Sequence, residues 1–154
     1  MSSESIVSAL FLITAVIAAG VLINAIFPII TQTAGTFGSV SHEADVRIRT
    51  DIKIVNTFAQ GSGAKIWLKN IGTERIHENN IEGSDIFIGP PGGFERVSGW
   101  TYQILEGNGN NYWDQGETLE ITLTNPNPPS EGDVVYFQIV LPTGVTRSIE
   151  FKAS

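Results

Sequence analysis

The chain has no cysteine among its 154 residues. That excludes disulfides, thiolate-held metals and cysteine nucleophiles together, and leaves the redox compartment open. Charge is missing where most chains carry it: after Glu4 there is no Asp, Glu, Lys or Arg until Glu43. Nine Lys and Arg stand against sixteen Asp and Glu, for a net charge of −7. The nine are scattered, so no basic patch exists to neutralise a phosphate backbone, and nucleic acid is excluded as a partner. No Asn is followed by the x-Ser/Thr of a glycosylation acceptor: Asn56 precedes Thr-Phe, Asn70 precedes Ile-Gly, and Asn125 and Asn127 precede proline. A catalytic signature is absent too. There is no G-x-S-x-G elbow, and no Ser, His and Asp group into a triad. His42 and His77 lack neighbours at ligand spacing, and the GSGAK segment at Gly61 to Lys65 has neither the spacing of a phosphate loop nor a helix after it. An enzyme is not expected.

What is present is a long apolar run. From Ile6 to Ile30 almost every residue is apolar (IVSALFLITAVIAAGVLINAIFPII), and about 20 such residues in a helix cross the hydrocarbon of a bilayer. A signal peptide would have a basic n-region, a shorter apolar stretch and a small-residue cleavage site, so the segment is expected to be retained. Ser2, Ser3 and Ser5 suit a helix start, and Glu4 complements the positive end of its dipole. Ala15, Ala18, Ala19 and Gly20 form a small-residue patch that admits close helix approach, and the Asn24 amide calls for a polar partner between helices. Glu4, Ala15, Ala19, Gly20 and Asn24 are therefore the candidate helix-assembly residues, with membrane lipid and other copies of the helix as partners. Pro28 is a candidate kink. Beyond it the sequence fades through small uncharged residues to His42 without a basic or aromatic flank. This suits a helix whose outer part packs on neighbouring helices, although Gly35 and Gly38 also allow a short linker.

From Val46 the pattern changes to alternation, with Ile48, Ile52 and Ile54 evenly spaced. Further alternating runs are AKIWLKNIG after a GSG turn, SDIFIG, WTYQIL, ETLEITLTN, DVVYFQIVL and VTRSIEFK. The expected architecture is α+β: residues 1–44 as a transmembrane or bundling helix with its linker, and residues 45–154 as an immunoglobulin-like antiparallel β-sandwich. Three loops, 89–99, 106–117 and 125–132, are placed at its ends or edges, where partners bind.

The loop EGNGNNYWDQGE has the order of oxygen ligands that a calcium loop uses: Glu106, Asn108, Asn110, the Tyr112 carbonyl, Asp114 and a final Glu117. Asn111 stands where glycine is preferred, and two carboxamides replace carboxylates, so any calcium affinity would be weak. The alternative is an Asn/Gly-rich hairpin with Trp113 packed beneath it. Calcium is the one cofactor the sequence suggests. Trp100, Tyr102, Tyr112 and Trp113 also allow a calcium- or carbohydrate-binding sandwich, though sandwich aromatics more often fill the core.

The helix core ALFLITAVIAAGVLINAI, with Val21, Leu22, Ile23 and Asn24, resembles the helix of archaellins and other archaeal type IV pilin-like proteins. Within that group the chain is most similar to the archaellum stator protein G family (FlaG, or ArlG). The resemblance rests on a T-D-I-x-I-x-N strand (Thr50, Asp51, Ile52, Ile54, Asn56) followed by an L-K-N-x-G strand end (Leu68, Lys69, Asn70, Gly72). Filament subunits are made with a basic segment and a glycine before the apolar helix; MSSES lacks both, which favours the uncleaved stator proteins over an archaellin. The resemblance implies a membrane-anchored stator component whose sandwich lies in the pseudoperiplasm and contacts protein F and the S-layer. Absent acceptor Asn sites favour a subunit sheltered in a machine. A filament-forming subunit, located in an archaellum or pilus, is the alternative. Arg47, Arg49 and Lys53 alone would place the sandwich inside, so its outward placement comes from the resemblance.

Overall fold

The computed structural model describes residues 2–154. They form two compact units, one ending at His42 and one spanning Glu43–Ser154. A single helix, α1, runs Ser2–Arg49 with Glu4 in its first turn and Arg47 and Arg49 in its last, as the dipole favours. The alternation expected from Val46 is corrected here. Residues 46–49 are helical, and Ile48 is 82% exposed instead of lying on a buried strand face. Local bonds explain the extension: Asp45 and Arg49 pair one turn apart, and the Thr50 hydroxyl donates to the Val46 carbonyl. The linker allowed by Gly35 and Gly38 does not occur, since α1 continues through both.

The second unit is an antiparallel sandwich. Its strands are β1 (Ile52–Gln60), β2 (Gly63–Asn70), β3 (Ile76–His77), β4 (Asp85–Gly89), β5 (Glu95–Val97), β6 (Trp100–Leu105), β7 (Tyr112–Trp113), β8 (Thr118–Thr124), β9 (Val134–Val140) and β10 (Thr146–Lys152). One short helix, α2 (Glu78–Glu82), follows β3. One sheet has the order β1-β2-β8-β6, the other β10-β9-β4-β5, and β3 pairs with β7 in a small ribbon. All the pairings are antiparallel.

Alternation builds the core. Ile66 and Leu68 of β2 and Leu119, Ile121 and Leu123 of β8 face Ile86 and Ile88 of β4 and Val135, Phe137 and Ile139 of β9, all buried. Burying each of these side chains contributes about 1.5–3 kcal/mol before entropy. In β1 the register slips between Ile54 and Asn56. This bulge moves Val55 and Phe58 to the exposed side while Ala59 returns to the core. Gly61 turns the β1–β2 hairpin at φ 55°, a conformation that glycine adopts without a steric penalty.

Candidate functional site

Three parts of the chain hold the candidate residues: α1, the joint where α1 meets β1, and the 106–117 loop.

Every residue from 3 to 45 is exposed within the chain, including Leu10, Phe11, Val16, Ile17, Leu22, Ile23 and Phe27. A helix that is apolar all round is covered by lipid or by other helices. Its 48 residues extend about 72 Å, against about 30 Å of hydrocarbon. Hydroxyls along it are satisfied locally: Thr14 donates to the Leu10 carbonyl, Thr31 to Phe27 and Pro28, Thr36 to Gln32, and Ser39 to Thr36. Such bonds let Ser and Thr sit among apolar neighbours at little cost. The expected assembly residues do not form one stripe. Ala15 and Ala19 stack one turn apart, as do Gly20 and Asn24, but helical geometry separates the two pairs by about 140°. A Cβ added at Gly20 would meet nothing. Glu4 lies in the first turn. Pro28 has no N–H to donate to the Asn24 carbonyl, four residues earlier in the helix.

The joint lies within the second unit and is built by the two short sequence patterns quoted above. The Arg49 carbonyl accepts from the N–H groups of Thr73 and Glu74, and the Asp51 carbonyl from those of Ile71 and Gly72. The last turn of α1 and Asp51, the residue before β1, are thus tied to the segment after β2. Arg49 also pairs with Glu74 at 3.0 Å, and Arg147 of β10 pairs with the Asp51 carboxylate while donating to the Ile52 carbonyl. Asn70 is fully buried. Its Nδ2 donates to the carbonyls of Glu74 and Trp113, and its Oδ1 accepts from Gly72. A side chain at Gly72 would drive into the Arg49 carbonyl and the Asp51 N–H. Thr50, Asp51, Ile52, Asn70 and Gly72 therefore share one task, which sequence reasoning grouped by likeness without seeing.

In the loop, Asp114 is the centre. Its carboxylate accepts from Arg75 (2.6 Å to Nε), Asn108 (3.0 Å) and Asn110 (2.8 Å). Asn108 and Asn110 turn their carbonyl oxygens to main-chain N–H groups of residues 110 and 112, and Glu117 accepts from the Asp114 N–H. Asn111 adopts the left-handed conformation expected at its position, at φ 61°, and Glu106 does the same. Asn108, Asn110, Tyr112, Asp114 and Glu117 are joined in one network, of which Glu106 is not a member, and donors surround an anion where a calcium loop would point acceptors at a cation. Among the described residues no group of three His, Cys, Asp or Glu is placed to hold a metal. Arg75, missed by spacing because it lies 39 residues from Asp114, supplies the positive charge and also stacks over Tyr112, 4.5 Å from its ring centroid. Trp113 is buried beneath, its indole N–H donating to the Glu117 carbonyl.

With this geometry in view, a family model described as archaeal-type flagellin matches residues 2–151. The chain belongs to the archaeal-type flagellin family. An uncharacterized protein of Archaeoglobus fulgidus is 30% identical to this chain over 133 residues, covering 81% of this chain and 82% of that one. Among solved structures, the archaellum periplasmic stator protein FlaG of Sulfolobus acidocaldarius aligns with 66% of this chain and 99% of its own, with TM-score 0.56 and 24% identity. The archaeal flagellum of Methanospirillum hungatei aligns with 92% of this chain and 91% of its own, with TM-score 0.63 and 15% identity. The flagellum likeness, over most of the chain, shows the fold of a long helix followed by antiparallel sheets, and the FlaG likeness shows the fold of the two thirds it aligns with.

The 106–117 loop is expected to weaken in acid. Arg75, with Asn110 and Asn108 behind it, holds the Asp114 carboxyl down at about 2, from an ordinary 3.8. A depressed carboxyl pKa contributes stability that is present above the unfolded value and lost as pH falls through the folded one. The melting advantage of the native chain over Asp114→Asn should therefore shrink from pH about 4 to about 2 and stay constant at higher pH. Melting curves of both proteins across that range check it, and an advantage unchanged at pH about 2 would contradict it.

Proposed function

We propose that the chain is a membrane-anchored structural component of the archaellum, of the stator type. On this reading α1 is the anchor, and the sandwich stands in the pseudoperiplasm in contact with a protein F partner and, through it, the S-layer. The observation that carries it is the alignment of 66% of this chain along 99% of FlaG at 24% identity, joined to the T-D-I-x-I-x-N and L-K-N-x-G patterns that build the joint. A solved complex pairs that FlaG with FlaF, and its fold aligns with 65% of this chain at TM-score 0.55. The role is mechanical and asks for no catalytic group. Loop 106–117 serves as a polar brace held by Arg75, with no calcium requirement, so millimolar calcium should leave the melting temperature unchanged.

Deleting the gene is expected to leave filament subunits in production and the cells unable to swim. Normal swimming would refute the proposal.

The second reading, a filament subunit with α1 in the filament core, is favoured by the apolar surface on every side of α1. The two separated faces of Ala15 with Ala19 and Gly20 with Asn24 suit more than one neighbouring helix. Mass spectrometry of sheared filaments separates the readings: this chain as the dominant protein supports the filament, and its restriction to membrane fractions supports the stator. In either case Glu4, Ala15, Ala19, Gly20 and Asn24 are assigned to helix association.

A further inference from the structure

Four strand edges bound the two sheets, and three are closed by the chain itself. β1 is bulged, and its carbonyls at Ile52 and Ala59 accept from Arg147 and from the Ser154 N–H. β10 carries Arg147, Glu150 and Lys152, and β5 has only three residues, two of them charged. Bulges, charges and brevity are the usual means of keeping a foreign strand off an edge.

β6 has none of these. Trp100–Leu105 contains no charge, proline or glycine, and it pairs on one side only, with β8. Among the described residues, none of its main-chain groups bonds outside that ladder. Its aromatic and β-branched residues suit a sheet, and Thr101 and Gln103 stand exposed between the inward Trp100, Tyr102 and Ile104.

The flank of this edge is acidic. The Tyr102 hydroxyl donates to the Glu82 carboxylate at 3.2 Å. Two recesses flank the strand; Glu82 lines one with Trp100, and Glu78 lines the other with Ile104. Neither recess is lined by Lys or Arg, and the nearby Arg75 is committed to Asp114. Glu78 and Glu82 reinforce the effect of burial in pushing the Tyr102 phenol up to about 12.

We propose that the β6 edge receives an added antiparallel strand from a protein partner, with Lys or Arg side chains on that strand facing Glu78 and Glu82. Main-chain bonds would supply affinity and the carboxylates selectivity. A second copy fits poorly, because self-pairing would bring the same carboxylates together. The inference rests on the proposed structural role only in requiring a protein partner, and it holds for either the stator or the filament reading.

Amide hydrogen exchange of the full chain in detergent micelles tests it, using a short synthetic peptide that alternates lysine with valine and a control with glutamate in place of lysine. The lysine peptide should slow exchange at alternate amides of residues 100–105 by about tenfold or more, and the glutamate peptide should not. A Glu78→Gln, Glu82→Gln double variant should remove the difference between the two peptides. Equal protection by both peptides, protection at β1, β5 or β10 instead, or none at millimolar peptide would overturn the proposal. Protection that grows with protein concentration in the absence of peptide would overturn it in favour of self-pairing. A negative result here leaves the swimming phenotype as the separate judge of the functional reading.

Discussion

Asn70→Ala is expected to destabilise the sandwich by about 3 kcal/mol, because three hydrogen bonds vanish, two of them fully buried. The carbonyls of Glu74 and Trp113 and the N–H of Gly72 all lose their side-chain partner at once. These groups belong to the segment that caps α1 and to the strand beneath the polar loop, so two regions loosen together. For a domain of this size the melting temperature should fall by about 10 °C or more. Asn125→Ala is the fitting comparison. Asn125 is as buried as Asn70, but its Oδ1 accepts one N–H and its Nδ2 has no partner, so about 1 kcal/mol is expected. Equal losses at the two positions would show that burial, not the bonding pattern, sets the cost.

Trp113→Ala should cost about 3–5 kcal/mol, the range for removing a large aromatic from a core that collapses only partly. Trp113 is fully buried, pairs with Ile76 across the β3–β7 ribbon, and donates its indole N–H to the Glu117 carbonyl. Trp113→Phe keeps most of the volume and loses that bond, so about 1–2 kcal/mol is expected. Urea midpoints of the full chain and the two variants check the order. Because Trp113 lies beneath the Asp114 network, Trp113→Ala should also remove most of the difference between the native chain and Asp114→Asn. Additive effects of the two substitutions would contradict this coupling.

Long elements were readable because periodicity needs length. The charge-free run announced α1, and the alternating runs announced β2, β4, β6, β8, β9 and β10 close to their observed bounds. The errors fell where local signals compete. Ile48, Ile52 and Ile54 alternate as a strand would, yet the Asp45–Arg49 pair and the Thr50 hydroxyl hold residues 46–49 in the helix. β3, β5 and β7 have only two or three residues each, too few for any period to show. The loop at 106–117 was legible as a cluster of oxygen-bearing side chains. Its organisation was not, because Arg75 comes from a distant segment and the donor or acceptor orientation of an amide is not written in its residue type. For the same reason Arg147, separated from Asp51 by 96 positions, carried no sequence signal.

The joint also decides how a mechanical load would travel. A pull on α1 arrives at Arg49, whose carbonyl and side chain are held by residues 73 and 74, while Asp51 hands part of it to residues 71 and 72 and part through Arg147 to β10. The strain is thereby shared among several bonds in parallel and spread over both sheets, so they must yield together and not one after another. Gly72 sets the fit of this joint, since a side chain there would meet the Arg49 carbonyl and the Asp51 N–H and part the bonds that share the load.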